Sequence, residues 1–143
     1  MKYCPIIILE LVLLAACGKD KNFTSTPQIT LKSISGNVVP YNGVLQVTLG
    51  FKDAEGDIQD SIYLGENIGY DSISTFYQMP SDIPKKKNSE GDIIIDLQYG
   101  IDILDPQTPT RPDTAIFSFY LQDVAGHISD TIQSPPIFVM PSP

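Results

Sequence analysis

In three stretches of this chain, apolar residues fall on every second position. Leu45, Val47, Leu49 and Phe51 form one series, Ile93, Ile95, Leu97 and Tyr99 a second, and Phe117, Phe119 and Leu121 a third, with Gln, Thr, Asp and Ser among the residues between them. A period of two sends one side of a segment into a core and the other into water, the pattern of half-buried antiparallel strands. Four further runs, bounded by Gly, Pro, Asn and Asp, have the same character. The predicted strands are 29–35, 44–52, 58–65, 71–79, 92–100, 114–122 and 128–140. The last should be split at Pro135-Pro136, because proline cannot donate to a ladder. No segment has a helical period, so the expected class is all-β.

Seven short strands with regular turns predict one antiparallel β-sandwich of immunoglobulin-like type over residues 28–143. The stretch LQDVAGHIS, Leu121 to Ser129, resembles the A-x-D-x-A-G-N-x-S turn between the last two strands of bacterial immunoglobulin-like and fibronectin-III-like domains. The chain has no tryptophan and a single cysteine after its first sixteen residues, so no narrower subfamily follows.

Residues 1–16 have the shape of a secretion signal: Lys2, an apolar run, then small residues. LAAC, Leu14 to Cys17, resembles the bacterial lipobox, which implies cleavage before Cys17 and acylation of that cysteine. Cys4 would leave with the signal, so the mature chain would have no disulfide, thiolate metal site or cysteine nucleophile. Residues 17–27 are polar and read as a lipidated tether. Gly18 to Gln28, fully extended, would span roughly 35 Å. Gly18 gives no inner-membrane retention signal, and Lys19-Asp20 looks like a thin version of the export tag of Bacteroidota surface lipoproteins. The expected location is the outer membrane, at its cell-surface or periplasmic face.

A repeat stands out in the remainder. FKDAEGDIQDSI, Phe51 to Ile62, returns as LQDVAGHISDTI, Leu121 to Ile132. In an immunoglobulin-like topology both turns lie at one end of the sandwich. Asp53 and Asp123 would cap their own turns, and Gly56 and Gly126 would supply positive φ. EGDI recurs at Glu90 to Ile93 and reads as a third strand start. The repeat is therefore expected to be scaffold. The rival is a calcium site, with candidate ligands Asp53, Asp57 and Asp123 and with Glu55 and Asp92 beside them, since hard oxygens suit Ca²⁺. Parity places Asp60 and Asp130 toward the core, where backbone N–H groups should receive them.

The net charge of −8 argues against nucleic acid as a partner. Lys85, Lys86 and Lys87 form a basic run in a loop; it is read as solvated, with contact to an anionic lipid or lipopolysaccharide surface as the alternative. His127, the one histidine, sits at a turn tip with Ser129 and Asp130 on alternating faces, so no triad assembles. Tyr63, Tyr70, Phe76 and Tyr77 are expected to pack in the core, with carbohydrate stacking as the alternative. The chain resembles small immunoglobulin-like lipoproteins of Bacteroidota. The resemblance implies a membrane-anchored interaction or structural module without an enzyme's chemistry or a required cofactor, its partner an envelope protein or a glycan.

Overall fold

The computed structural model describes residues 22–143; the predicted signal, Cys17 and the start of the tether lie outside the described residues. Among the described residues nine strands form where seven were expected. They are β1 Gln28–Ile34, β2 Val38–Val39, β3 Val44–Asp53, β4 Ser61–Ile68, β5 Asp71–Gln78, β6 Ser89–Gln98, β7 Asp113–Gln122, β8 Ile132–Gln133 and β9 Ile137–Val139. The two additional strands are the two-residue β2 and the second half of the final strand, divided at the two prolines.

The strands make two sheets, β1-β3-β6 and β2-β9-β7-β4-β5, with β8 pairing the β7 edge beside β9. All pairs are antiparallel except β2 with β9, where Val38 and Val39 run parallel to Phe138 and Val139. The expected all-antiparallel arrangement is corrected there. The inner faces follow the alternation. Leu45, Val47 and Leu49 of β3 pair with Leu97, Ile95 and Ile93 of β6, and Ile62, Leu64 and Ile68 of β4 with Leu121, Phe119 and Ala115 of β7. Residues of both inner faces share one apolar cluster. Phe117, Phe119, Leu49 and Leu97 are fully enclosed, whereas Phe51 and Ile95 are only half-buried. Both line a groove of about 510 Å³ with Tyr77, Ile83 and Ile93, where β5 and β6 form the outer edges of their sheets.

EGDI at Glu90–Ile93 starts a strand as expected, but it is not a turn like the other two instances, because all four residues lie inside β6. Gly91 there makes room for the Phe51 ring, whose Cε1 would lie 2.9 Å from an added Cβ. A further expectation is corrected, because Asp60 and Asp130 are not buried: Asp130 is exposed and Asp60 half-exposed, its carboxylate accepting the Ser61 hydroxyl at 2.8 Å. The segment before β8 does not alternate as a strand, and Ile128, paired only with Gln122, leaves its side chain outside.

Within β4 a carboxylate is enclosed, that of Glu66. It stands on the inner face of β4 between Leu64 and Ile68 and is 1% exposed. Oε2 accepts the Leu104 N–H at 2.8 Å, and Oε1 has no partner among the described residues. Burial raises its pKa from 4.5 to about 7, against the pull of the Leu104 bond. Between those values the native protein holds a proton that the unfolded chain has lost. This contribution to stability is complete below pH 4.5 and is lost as pH rises through about 7. Glu66→Gln should flatten that decline and raise the melting temperature at pH 8 by several degrees, about what 1–2 kcal/mol gives in a domain of this size. Melts from pH 4 to 8 check this; an unchanged slope would contradict it.

Candidate functional site

The repeat's two turns come together at one end of the sheets, but the chain passes through them differently. After Asp53 it crosses from one sheet to the other, so the first turn is not a hairpin. Asp53 Oδ2 accepts the Gly56 N–H and, at 3.2 Å, the Asp57 N–H. The second turn is hairpin-like. The Gly126 N–H donates to the Asp123 carbonyl at 3.1 Å, and the Asp123 N–H to the His127 carbonyl at 3.0 Å. Asp123 Oδ1 accepts the His127 N–H at 2.7 Å, and Oδ2 lies 2.9 Å from His127 Nδ1. Gly56 and Gly126 have φ of +72° and +89°, the left-handed region glycine enters freely. The Val124 N–H donates to the Asp57 carbonyl at 2.9 Å and ties the turns to each other.

Two more segments dock on the first turn. The Ala54 N–H donates to the Thr24 carbonyl, and the Asn88 N–H to the Ala54 carbonyl. A Cβ on Gly56 would lie 2.0 Å from the Lys86 carbonyl oxygen. The described chain thus enters at the end where Lys85, Lys86 and Lys87 stand exposed.

One oxygen or nitrogen from each of Asp53, Asp57 and Asp123, and likewise from Glu55, Asp123 and His127, lie within 4.8 Å of one another. Asp53 is 0% and Asp123 1% exposed, and Asp57 is half-buried. Asp53 Oδ1 and Asp57 Oδ1 are enclosed without a partner among the described residues. The exposed His127 ring pairs with Asp123, and that bond and charge raise its pKa above the ordinary 6.5. Asp92 does not join the cluster. It lies on the outer side of β6 and forms an ion pair with Lys32. Ser129 is occupied elsewhere: its Oγ accepts the Leu121 N–H and donates to the Asp130 carbonyl, each at 3.0 Å.

A second feature lies on the outer face of β5-β4-β7. The Tyr63 and Tyr120 rings stack at 4.4 Å and 7°, and Phe76 stands edge-on to both, at 5.3 and 6.1 Å. Phe76 is 56% and Tyr70, at the β4–β5 turn, 99% exposed. The expectation that Tyr63, Tyr70 and Phe76 pack in the core is corrected. Ile62 and Leu64 take the inward positions of β4, so Tyr63 between them faces out. Tyr77 turns inward, half-buried, and its hydroxyl donates to Asp102. Tyr120 went unnoticed in the sequence, although its place between Phe119 and Leu121 assigns it to the outer face.

No protein-family model matches the chain, and no curated protein matches its sequence. Among solved structures the chain is similar to Spo0M, a sporulation control protein from Bacillus subtilis, with 11% identity and a TM-score of 0.50. That match covers 83% of this chain and spans about half of Spo0M, 51% of its length. A β-glucosidase from Listeria innocua, solved with gluconolactone, is similar at 15% identity and a TM-score of 0.40, over 81% of this chain and 16% of that one. The Spo0M likeness concerns fold alone, in keeping with the all-β class.

The turn geometry separates the two glycines. Nothing lies within 4 Å of a Cβ at Gly126, so Gly126→Ala should cost only the left-handed backbone penalty, about 1 kcal/mol. Gly56→Ala adds a collision with the Lys86 backbone and should cost about 2–4 kcal/mol. Equal losses in urea unfolding would contradict this.

Proposed function

We propose that the protein is a lipid-anchored, non-catalytic interaction module of the cell envelope, with an immunoglobulin-like sandwich that presents the outer face of β5-β4-β7 to an envelope protein. The strand orders support the immunoglobulin-like reading: β1, β3 and β6 correspond to strands A, B and E, facing a sheet of A′, G, F, C and C′. The observation that carries the function is the Tyr63–Tyr120–Phe76 cluster. Aromatic rings gathered on an outer sheet face are typical of the residues that dominate protein interfaces. Lipobox-directed acylation of Cys17 would place the anchor upstream of Thr24, on the side of Lys85, Lys86 and Lys87. Those lysines would then meet anionic membrane groups, and the aromatic face would stand beside the membrane rather than against it.

A second reading, a glycan-binding accessory lipoprotein, is favoured by the shallow polar groove beside the rings, lined by Asn67, Ser72, Ser74 and Ser118. Aromatic faces with adjacent hydroxyls and amides suit sugar rings.

Two measurements test these statements. Labelled fatty acid should enter the wild-type protein and not Cys17→Ala; uptake by the variant, or none by wild type, would contradict the anchor. Envelope extract passed over the immobilised protein should yield a saturable protein partner, lost with Phe76→Ser and Tyr120→Ser while the melting temperature stays within a few degrees. Binding on a glycan array, with the same sensitivity and no protein partner, would select the second reading. Binding insensitive to both substitutions would refute the role of this face.

A further inference from the structure

We propose that Asp53, Asp57 and Asp123 hold one calcium ion between the two joined turns, a site independent of the aromatic face. The spacing fits. Oxygens sharing a Ca²⁺ ion at about 2.3–2.6 Å lie no more than about 5 Å apart, and one oxygen from each of these carboxylates lies within 4.8 Å of the others.

The bonding within the turn leaves ligand-donor positions open. Asp53 is completely enclosed, and only its Oδ2 serves the turn. Its Oδ1 is buried and unpartnered among the described residues, as is Asp57 Oδ1. A turn cap uses one carboxylate oxygen and explains neither of these. An enclosed anionic oxygen without a donor is costly, and like charges at this spacing repel unless a cation lies among them. Among the described residues, no lysine pairs with the three carboxylates; the exposed His127 bonds to Asp123 and interacts electrostatically with Asp57 as well. Lys86 presents its backbone, not its ammonium group, to Gly56.

The chemistry of the donors selects the ion. Three carboxylates are hard oxygen ligands, and their mono- or bidentate binding with added water suits the flexible shell of Ca²⁺ better than the strict octahedron of Mg²⁺. His127 acts outside the ligand set: its backbone N–H and ring nitrogen both hold the Asp123 carboxylate and orient it. Calcium would thereby join the turn that crosses between the sheets to the one that returns along β7.

Calorimetric titration of the full chain, stripped with EGTA, with CaCl₂ should show one ion per chain and a dissociation constant of about 10⁻⁴–10⁻³ M. Calcium at about ten times that constant should raise the melting temperature by several degrees. Asp57→Asn is the decisive variant, because among the described residues nothing donates a hydrogen bond to the Asp57 carboxylate. It should weaken calcium binding by about tenfold or more, and in EGTA it should melt at or above the wild-type temperature. Asp92→Asn should bind as wild type does. Absence of binding heat up to about 10 mM CaCl₂, about ten times the top of this range, would overturn the proposal, as would undiminished binding by Asp57→Asn. Binding of ZnCl₂ in place of CaCl₂, lost with His127→Ala, would assign the metal to Glu55, Asp123 and His127 and overturn it equally.

Discussion

The Asp53 carboxylate is the constraint on which the rest of the structure depends. At the end of β3 the chain must leave one sheet and enter the other, and backbone N–H groups at such a crossing have no ladder to join. Asp53 Oδ2 takes two of them, from Gly56 and Asp57. The turn made this way is the platform for everything at this end. Thr24 and Asn88 bond to Ala54, Val124 bonds to Asp57, and the Lys86 backbone lies over Gly56. The entry of the described chain, the loop before β6 and the turn after β7 all meet on five residues.

This convergence also separates two surfaces with different chemistry. The turn end carries enclosed carboxylates beside exposed lysines, a place for ions and charged surfaces. The outer face of β5-β4-β7 carries rings and hydroxyls, the face proposed to meet a partner. An anchor attached upstream of Thr24 would approach the first and leave the second accessible.

Alternation made most of the fold legible, because burial of one strand face is a local property written at every second residue. Which sheet a strand joins is not local. Residues 71–79 were correctly expected to be extended, yet nothing in DSISTFYQ states that β5 extends the β4 edge. Gly91 had the same neighbours as Gly56 but sits in a strand, where the space it leaves is filled by Phe51. Parity failed at Asp130 because the segment before β8 pairs too sparsely to alternate. It would have succeeded at Tyr63, Tyr120 and Glu66, where intact strands fix the side. The gathering of Asp53, Asp57 and Asp123 was visible in the repeat, since two similar turns at one end bring similar residues together. That Asp92 lies elsewhere, paired with Lys32, depends on register across three strands and could not be read from the chain.

The most direct test of the account is an amide NMR titration of the full chain with CaCl₂. The joined turns, acting as one ion-holding unit, predict that the largest shifts fall together on Gly56, Asp57, Val124 and His127, with one shared saturation curve. Amides near Tyr63 and Phe76 should scarcely move. Shifts confined to one turn, or spread over exposed acids such as Asp92 and Asp96 without saturation, would contradict it.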